Sequence, residues 1–368
     1  MRKFSVMSNQ ENIKNWRQII AWTACILAVV VVVLGAFTRL VDAGLGCPDW
    51  PGCYGHLTWP NDAKEINRAN MIFPDSPVDV SKTWPEMVHR YFAGTLLLFV
   101  VLLTCLAWRE RQSPTFKQTH ILLVIIILQA AFGMWTVTLK LWPQVVTAHL
   151  IGGMATLSMI WILCERLGQK TIRLREKYLP TVRRLRPFTL VAVAIVIIQI
   201  GLGGWTSSNY AALACPDFPT CHNEWWPEAN FSEGFNIAQK IGPNYLGGVL
   251  ESDARTAIHL AHRVGALIAS IMVIILAVFT WRVGLRGWSL WLSGALILQV
   301  TLGIANVVMH LPLGIAVAHN AGAAFLLLSL ITFSYRIYTL KMVNVSQQDV
   351  KLGVVGQDGS LSTVSNVN

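Results

Sequence analysis

Charge is what this sequence is short of. Only 13% of its 368 residues are Asp, Glu, Lys or Arg, where a soluble domain carries about a quarter. With 54% hydrophobic residues, a water-facing globule is excluded and the chain reads as a membrane protein. A second absence is the c-type haem attachment string CxxCH, so covalent haem attachment is not indicated. The N-terminal MRKFSVMSNQENIKNWRQ has no cleavable-signal pattern, and it is too poor in Arg and Ser for an organelle transit peptide. A bacterial inner membrane is the expected location.

What is present is a set of eight apolar runs, near 17–38, 86–108, 119–139, 144–164, 187–207, 256–281, 288–309 and 313–336. Each is long enough to cross a bilayer, which takes roughly 20 residues. Trp16, Trp84, Trp108, Trp142, Trp281 and Trp288 stand at their ends, as interfacial aromatics do.

The formal net charge of +10 invites a nucleic-acid partner, but its distribution argues against one. Arg166, Lys170, Arg173, Arg175, Lys177, Arg183, Arg184 and Arg186 lie between the fourth and fifth spans. Arg2, Lys3, Lys14 and Arg17 stand at the N-terminus, Arg109, Arg111 and Lys117 follow the second span, and Arg282 and Arg286 follow the sixth. All share one side if the spans alternate, while the long connection 215–253 holds Lys240 among several acids. This is the positive-inside asymmetry, with both termini cytoplasmic.

The chain repeats itself about 170 residues along. TRLVDAGLGCPDWPGC (38–53) returns as TSSNYAALACPDFPTC (206–221), His89 as His262, QAAFG (129–133) as QVTLG (299–303), and TAHLIGG around His149 as VAHNAGA around His319. Each half holds four spans, so both halves enter the membrane alike, as parallel repeats do. The expected fold class is therefore an all-α integral membrane protein: eight transmembrane helices as two pseudo-symmetric parallel four-helix bundles. The expected organisation is a cytoplasmic N-terminus 1–16, a first bundle 17–164, a basic cytoplasmic linker 165–186, a second bundle 187–337, and a disordered polar tail 338–368.

Of nine histidines, His56 and His222 fall in outer loops, His120 at the start of the third span, and His310 at the seventh–eighth turn. His89, His149, His262 and His319 differ. Each lies a few residues inside an even-numbered span, so at about 1.5 Å of rise per residue all four share a shallow depth towards the outer face. Ionisable groups inside a span default to a functional reading. Small residues accompany them: Ala93 and Gly94, Gly152 and Gly153, Gly265 and Ala266, Ala321 and Gly322. Two histidines from two helices of one bundle suit the axial positions of haem iron, whereas a bare zinc site wants three or four ligands.

Glu86 precedes His89 by one helical turn and shares its face, and its counterpart in the second half is His259. Such a carboxylate orients a ligand or handles protons, or simply starts a helix favourably. Arg90 and Arg263 follow their histidines directly; they suit haem propionates or lipid headgroups. Cys47 and Cys53, and Cys215 and Cys221, bracket Pro-Asp-aromatic-Pro in outer loops. An oxidising compartment favours two intraloop disulfides, either structural or redox-active. Cys25, Cys105 and Cys164 read as small core residues.

GAFTRL (35–40), EMVHR (86–90), TAHL (147–150), LAHRVGA (260–266), AVAHN (316–320) and the paired Cys loops together resemble the heme A synthase family, over roughly 17–336. The resemblance implies heme b between His262 and His319, and a substrate site for heme O at His89 and His149 with Glu86 as its carboxylate. It implies oxidation of the C8 methyl group of heme O to a formyl group by successive hydroxylations with loss of water. The first-loop cysteine pair would be tied to the redox chemistry. Expected partners are heme O, membrane lipid, a heme O synthase, an electron donor and, as an oligomer, further copies of the chain; nucleic acid is not among them. Taken alone, the residues also fit a di-haem b-type electron-transfer protein, although such haems usually sit at different depths. A proton-coupled transporter would be expected to show broken helices at the midplane.

Overall fold

A computed structural model describes residues 2–108, 111–168, 171–175 and 178–343, with the side chains of 2–14, 173, 175, 342 and 343 left aside. The expected tail beyond 343, together with Arg109, Lys170 and Lys177, lies outside the described residues. Among the described residues eight helices are long and apolar enough to cross a membrane. They are α1 (Arg2–Leu40), α3 (Val80–Ala107), α4 (Pro114–Thr138), α5 (Pro143–Gly168), α6 (Leu179–Ser208), α8 (Ser252–Arg282), α9 (Arg286–Val308) and α10 (Leu313–Tyr338). Two short helices, α2 (Ala63–Ile72) and α7 (Phe231–Gly234), lie in the two long connections.

Helix boundaries follow local chemistry. Asp79 caps α3 by accepting from the Ser81 N–H, and Ser113 caps α4 ahead of Pro114. Oxygen-bearing caps satisfy amides that have no intrahelical partner, and a proline at the first position forgoes none. The tight α4–α5 turn places Lys140 and Leu141 at positive φ, and the α9–α10 turn does the same with His310 and Leu311. One reversal is thus built twice.

Packing divides the spans into two rings. In the first, α1 packs on α3, α3 on α4, α4 on α5, and α5 back on α1. In the second, α6, α8, α9 and α10 close in the corresponding order. The rings meet through α5 with α6, α10 with α1, and α5 with α10, the pattern of a two-fold axis running between α5 and α10. On one face, hereafter the terminus face, Arg336 of α10 donates to Glu165 of α5 at 2.9 and 3.1 Å, and Trp161 Nε1 donates to Thr332 at 2.6 Å. On the opposite, loop face, Arg39 bonds Asp42 at 3.2 Å and Tyr210 at 3.0 Å, and Tyr210 donates to Asp42 at 2.6 Å.

Two details differ from the sequence expectation. Helix α6 begins at Leu179, inside the stretch read as linker, and tolerates Pro187 near its start. Two three-residue strands, β1 (Arg173–Arg175) and β2 (Lys341–Val343), pair in parallel. They are too short to leave a periodicity in the sequence, and they tie the inter-bundle connection to the chain beyond α10.

Candidate functional site

The large packed core occupies the half of the molecule towards the terminus face, from Ala21–Ala28 on α1 to Ala324–Ile337 on α10. Smaller clusters cap the loop face around Cys47, Tyr54 and Met87, around Trp205 and Ile258, and around Cys215 and Leu260. Between them lies a layer where no residue is fully buried. On α3 burial stops at Met87 and resumes at Leu96; on α5 it stops at Val145 and resumes at Met154. On α8 the gap runs from Leu260 to Ala269, and on α10 from Ala316 to Gly322. Native interiors are normally filled to crystal-like density. His89, His149, His262 and His319, all half-buried, lie one in each of these gaps. His149 is close enough to His89, and His319 to His262, for electrostatic interaction.

Each imidazole rests on a glycine of the preceding transmembrane helix. A methyl built on Gly35 would stand 2.9 Å from His89 Cε1, and one on Gly133 would stand 3.2 Å from His149 Cε1. The same holds for Gly203 beneath His262 at 3.2 Å and Gly303 beneath His319 at 3.0 Å. Gly94, by contrast, has nothing near its missing Cβ, so the small residues on the histidine's own helix are only part of the arrangement.

Four residues before three of these glycines stands a glutamine: QAAFG (129–133), QIGLG (199–203) and QVTLG (299–303). Gln129 donates to the main-chain carbonyl of His149. Gln199 meets His262 at both its ring, at 3.0 Å, and its carbonyl, at 2.9 Å. Gln299 meets the His319 ring at 3.4 Å. In the sequence two of these strings stand out only as markers of the repeat; their spacing is the available signal. The structure therefore repeats four times rather than two, as helix pairs α1/α3, α4/α5, α6/α8 and α9/α10, each bringing one histidine.

The loops above are anchored from below. Cys47–Cys53 and Cys215–Cys221 are both disulfide-bonded. Asp49 accepts from the N–H groups of Tyr54 and Gly55 at 2.6 and 2.8 Å, and Asp217 from those of His222 and Asn223 at 2.6 and 3.0 Å. That is the work of the Asp in Cys-Pro-Asp. Arg90 donates to the carbonyls of Asp49 and Gly52, and Arg263 to those of Cys215, Asp217 and Thr220. Both guanidiniums hold loop backbone.

Glu86 is buried, pairs with Arg90, and accepts from the Cys47 N–H at 2.9 Å. In the second half His259 Nδ1 takes that place, accepting from the Cys215 N–H at 3.3 Å. One bundle thus joins its disulfide loop to its histidine helix through a carboxylate, the other through an imidazole. Tyr54, beside Glu86, has its phenol pushed up to about 12 by burial and by the nearby Asp49 and Glu86 carboxylates.

These features fit a flat, iron-bearing macrocycle in each bundle. The layer is less buried than the clusters on either side of it, and the glycines clear the flank of each ring. His89, His149 and His319 each keep a buried Nδ1 with no partner among the described residues. Among the described residues no three His, Cys, Asp or Glu side chains converge on a point, and the two imidazoles of each bundle are the donors that could hold the iron of such a group.

Comparison with known proteins agrees in extent with this architecture. Residues 18–331 match the family model described as "COX15-CtaA: Cytochrome oxidase assembly protein". The chain is 46% identical over 315 residues to a heme A synthase of Shewanella oneidensis, covering 85% of this chain and 94% of that protein. It is 25% identical over 342 residues to a heme A synthase of Rhizorhabdus wittichii, covering 86% and 91%. With a heme A synthase of Caulobacter vibrioides it shares 25% over 349 residues, covering 87% and 96%.

Proposed function

Because this chain belongs to the heme A synthase family, we propose that it oxidises the C8 methyl group of heme O to a formyl group, making heme A. The observation that carries the reading is the pair of two-histidine sites at one level, alike except that Glu86 in the first bundle is replaced by His259 in the second. A difference of that kind separates a bundle that performs chemistry from one that keeps a cofactor.

In this reading His89 and His149 hold the iron of heme O, and His262 and His319 hold heme b. Heme b, when bound, supplies one-electron chemistry. The chain's own residues do the rest. The partly buried layer of the first bundle admits the substrate's flat face, and the glycines beneath the imidazoles set how closely the rings approach their helices. Glu86, one turn before His89 and fixed by Arg90 and the Cys47 amide, takes up and returns protons as the methyl carbon is oxidised. The Cys47–Cys53 loop lies directly over that carboxylate, where a change in the disulfide reaches Glu86 through one hydrogen bond. The di-haem electron-transfer alternative finds no support among the relatives.

The distribution of basic residues supports placement in a bacterial inner membrane with the terminus face cytoplasmic. A heme O synthase would supply the substrate, and turning a methyl into a formyl group requires an oxidant, either an electron acceptor or dioxygen together with an electron donor.

The test is haem extraction and mass analysis of the purified protein from a host that makes heme O, wild type beside Glu86→Gln and His262→Ala. The wild type should yield heme b with heme O or heme A. Glu86→Gln should accumulate heme O or a partly oxidised haem, and His262→Ala should lose mainly heme b. Two equivalents of heme b with neither heme O nor heme A, even when heme O is supplied, would refute the synthase.

A further inference from the structure

The four histidines are not held alike. Gln129, Gln199 and Gln299 each reach from a neighbouring helix to a histidine. In all three cases the amide oxygen lies against the glycine three residues after that histidine. These are Gly152, Gly265 and Gly322, where an added Cβ would collide with the oxygen. Glutamine and glycine are therefore one device, an amide brace between two helices that only a missing side chain admits.

At His89 both parts of the device are changed. The residue four before Gly35, which matches Gln199, is Val31, and the residue three after His89 is Phe92. Val31 has no side-chain group that hydrogen-bonds, and at Phe92 a Cβ occupies the place of the glycine hydrogen. A histidine whose helix lacks this brace is held with less pre-organisation than one whose helix is clamped to its neighbour.

We propose that His89 is the exchangeable ligand of the first bundle, and that Val31 and Phe92 make it so. Gln129, Gln199 and Gln299 are positioning residues: the first holds His149 by its main-chain carbonyl, and the other two meet the rings of His262 and His319. The consequence is a division of labour. The second bundle, with both ligands braced, retains its haem. The first, with one ligand braced and one loose, takes in substrate and lets product go. This inference rests on the reading of the four histidines as haem ligands.

The experiment follows haem transfer from the purified, haem-loaded full-length protein to an excess of apomyoglobin, with chromatography of the haems left on the protein at each time. In the wild type heme O and heme A should leave at least about tenfold faster than heme b, since a partner on a metal-ligating histidine is worth about 10- to 100-fold in affinity. Val31→Gln combined with Phe92→Gly, which restores both parts of the brace, should slow the loss of heme O and heme A by about tenfold and leave heme b unchanged. Gln199→Val should accelerate heme b loss by a similar factor, and Gln129→Leu should accelerate heme O loss. Unchanged heme O loss in the double variant, with heme b still retained as proof of folding, would overturn the proposal. If the double variant does not fold, unchanged rates in both Gln199→Val and Gln129→Leu would overturn it instead. A wild-type protein that purifies without any haem would remove the haem reading itself, and this inference with it.

Discussion

A glycine beneath an imidazole is the smallest unit on which this molecule's chemistry depends. At Gly35 the clearance is least: a methyl would stand 2.9 Å from His89 Cε1, closer than carbon atoms pack. Gly35→Ala should therefore displace the His89 ring, at an overpacking cost of about 1–3 kcal/mol. Heme O added to the variant should show a reduced low-spin absorption signature, with heme b in the second bundle unaffected; a wild-type spectrum would show that the ring does not depend on this clearance. The histidines were legible in the sequence because ionisable side chains inside an apolar run stand out by themselves. Their glycines and glutamines were not, because a Gln or Gly acquires its meaning only from a partner on another helix. Val31 and Phe92 were the least visible, being ordinary membrane residues whose significance is what they replace.

Among the elements, the Cys-Pro-Asp loops show how a short segment is made stiff without a core of its own. Asp217 is half-buried, and its carboxyl is held down to about 2 by the Thr220 hydroxyl and the Asn223 and His222 amides. A carboxylate whose folded value is depressed stabilises the loop above its unfolded value, near 3.8, and that contribution disappears as pH falls through about 2. The 215–221 loop should keep its protease resistance down to about pH 4 and lose part of it between there and pH 2, and Asp217→Asn should lose the same part at neutral pH. Limited proteolysis across the pH range measures both. The eight spans were readable because hydropathy needs no tertiary partner, but their ends were blurred. Helix α6 starts at Leu179 instead of near 187 because Arg183, Arg184 and Arg186 extend it with residues that carry no apolar signal. The strands β1 and β2, and helices α2 and α7, left no trace, since segments so short are fixed by their neighbours.

For the molecule as a whole, the two bundles are joined at both faces by polar contacts across the axis. The Arg336–Glu165 pair is the strongest of these, bidentate, with the Glu165 side chain 5% exposed. Removing the cation alone strands a buried carboxylate, so Arg336→Met should lower stability by about 3–5 kcal/mol. Adding Glu165→Leu should recover most of that loss, because a well-packed apolar pair replaces an ion pair at little cost. Thermal unfolding in detergent, followed for the single and double variants, decides it: equal losses in both would mean that the site does not act as a pair. The two-fold relation was already plain from matched strings in the sequence, while the four-fold relation emerged only when each histidine could be seen with the glycine and glutamine that serve it.

The partly buried layer has a mechanical consequence. Helices whose side chains are only partly buried at this level are held less tightly there than in the core, and the spacing of the imidazoles depends on what holds them elsewhere. Here the packed core is the footing, and the disulfide loops, pinned by Arg90 and Arg263, are lintels across the opening. The span between the walls is set by masonry above and below, whether or not anything stands in the doorway.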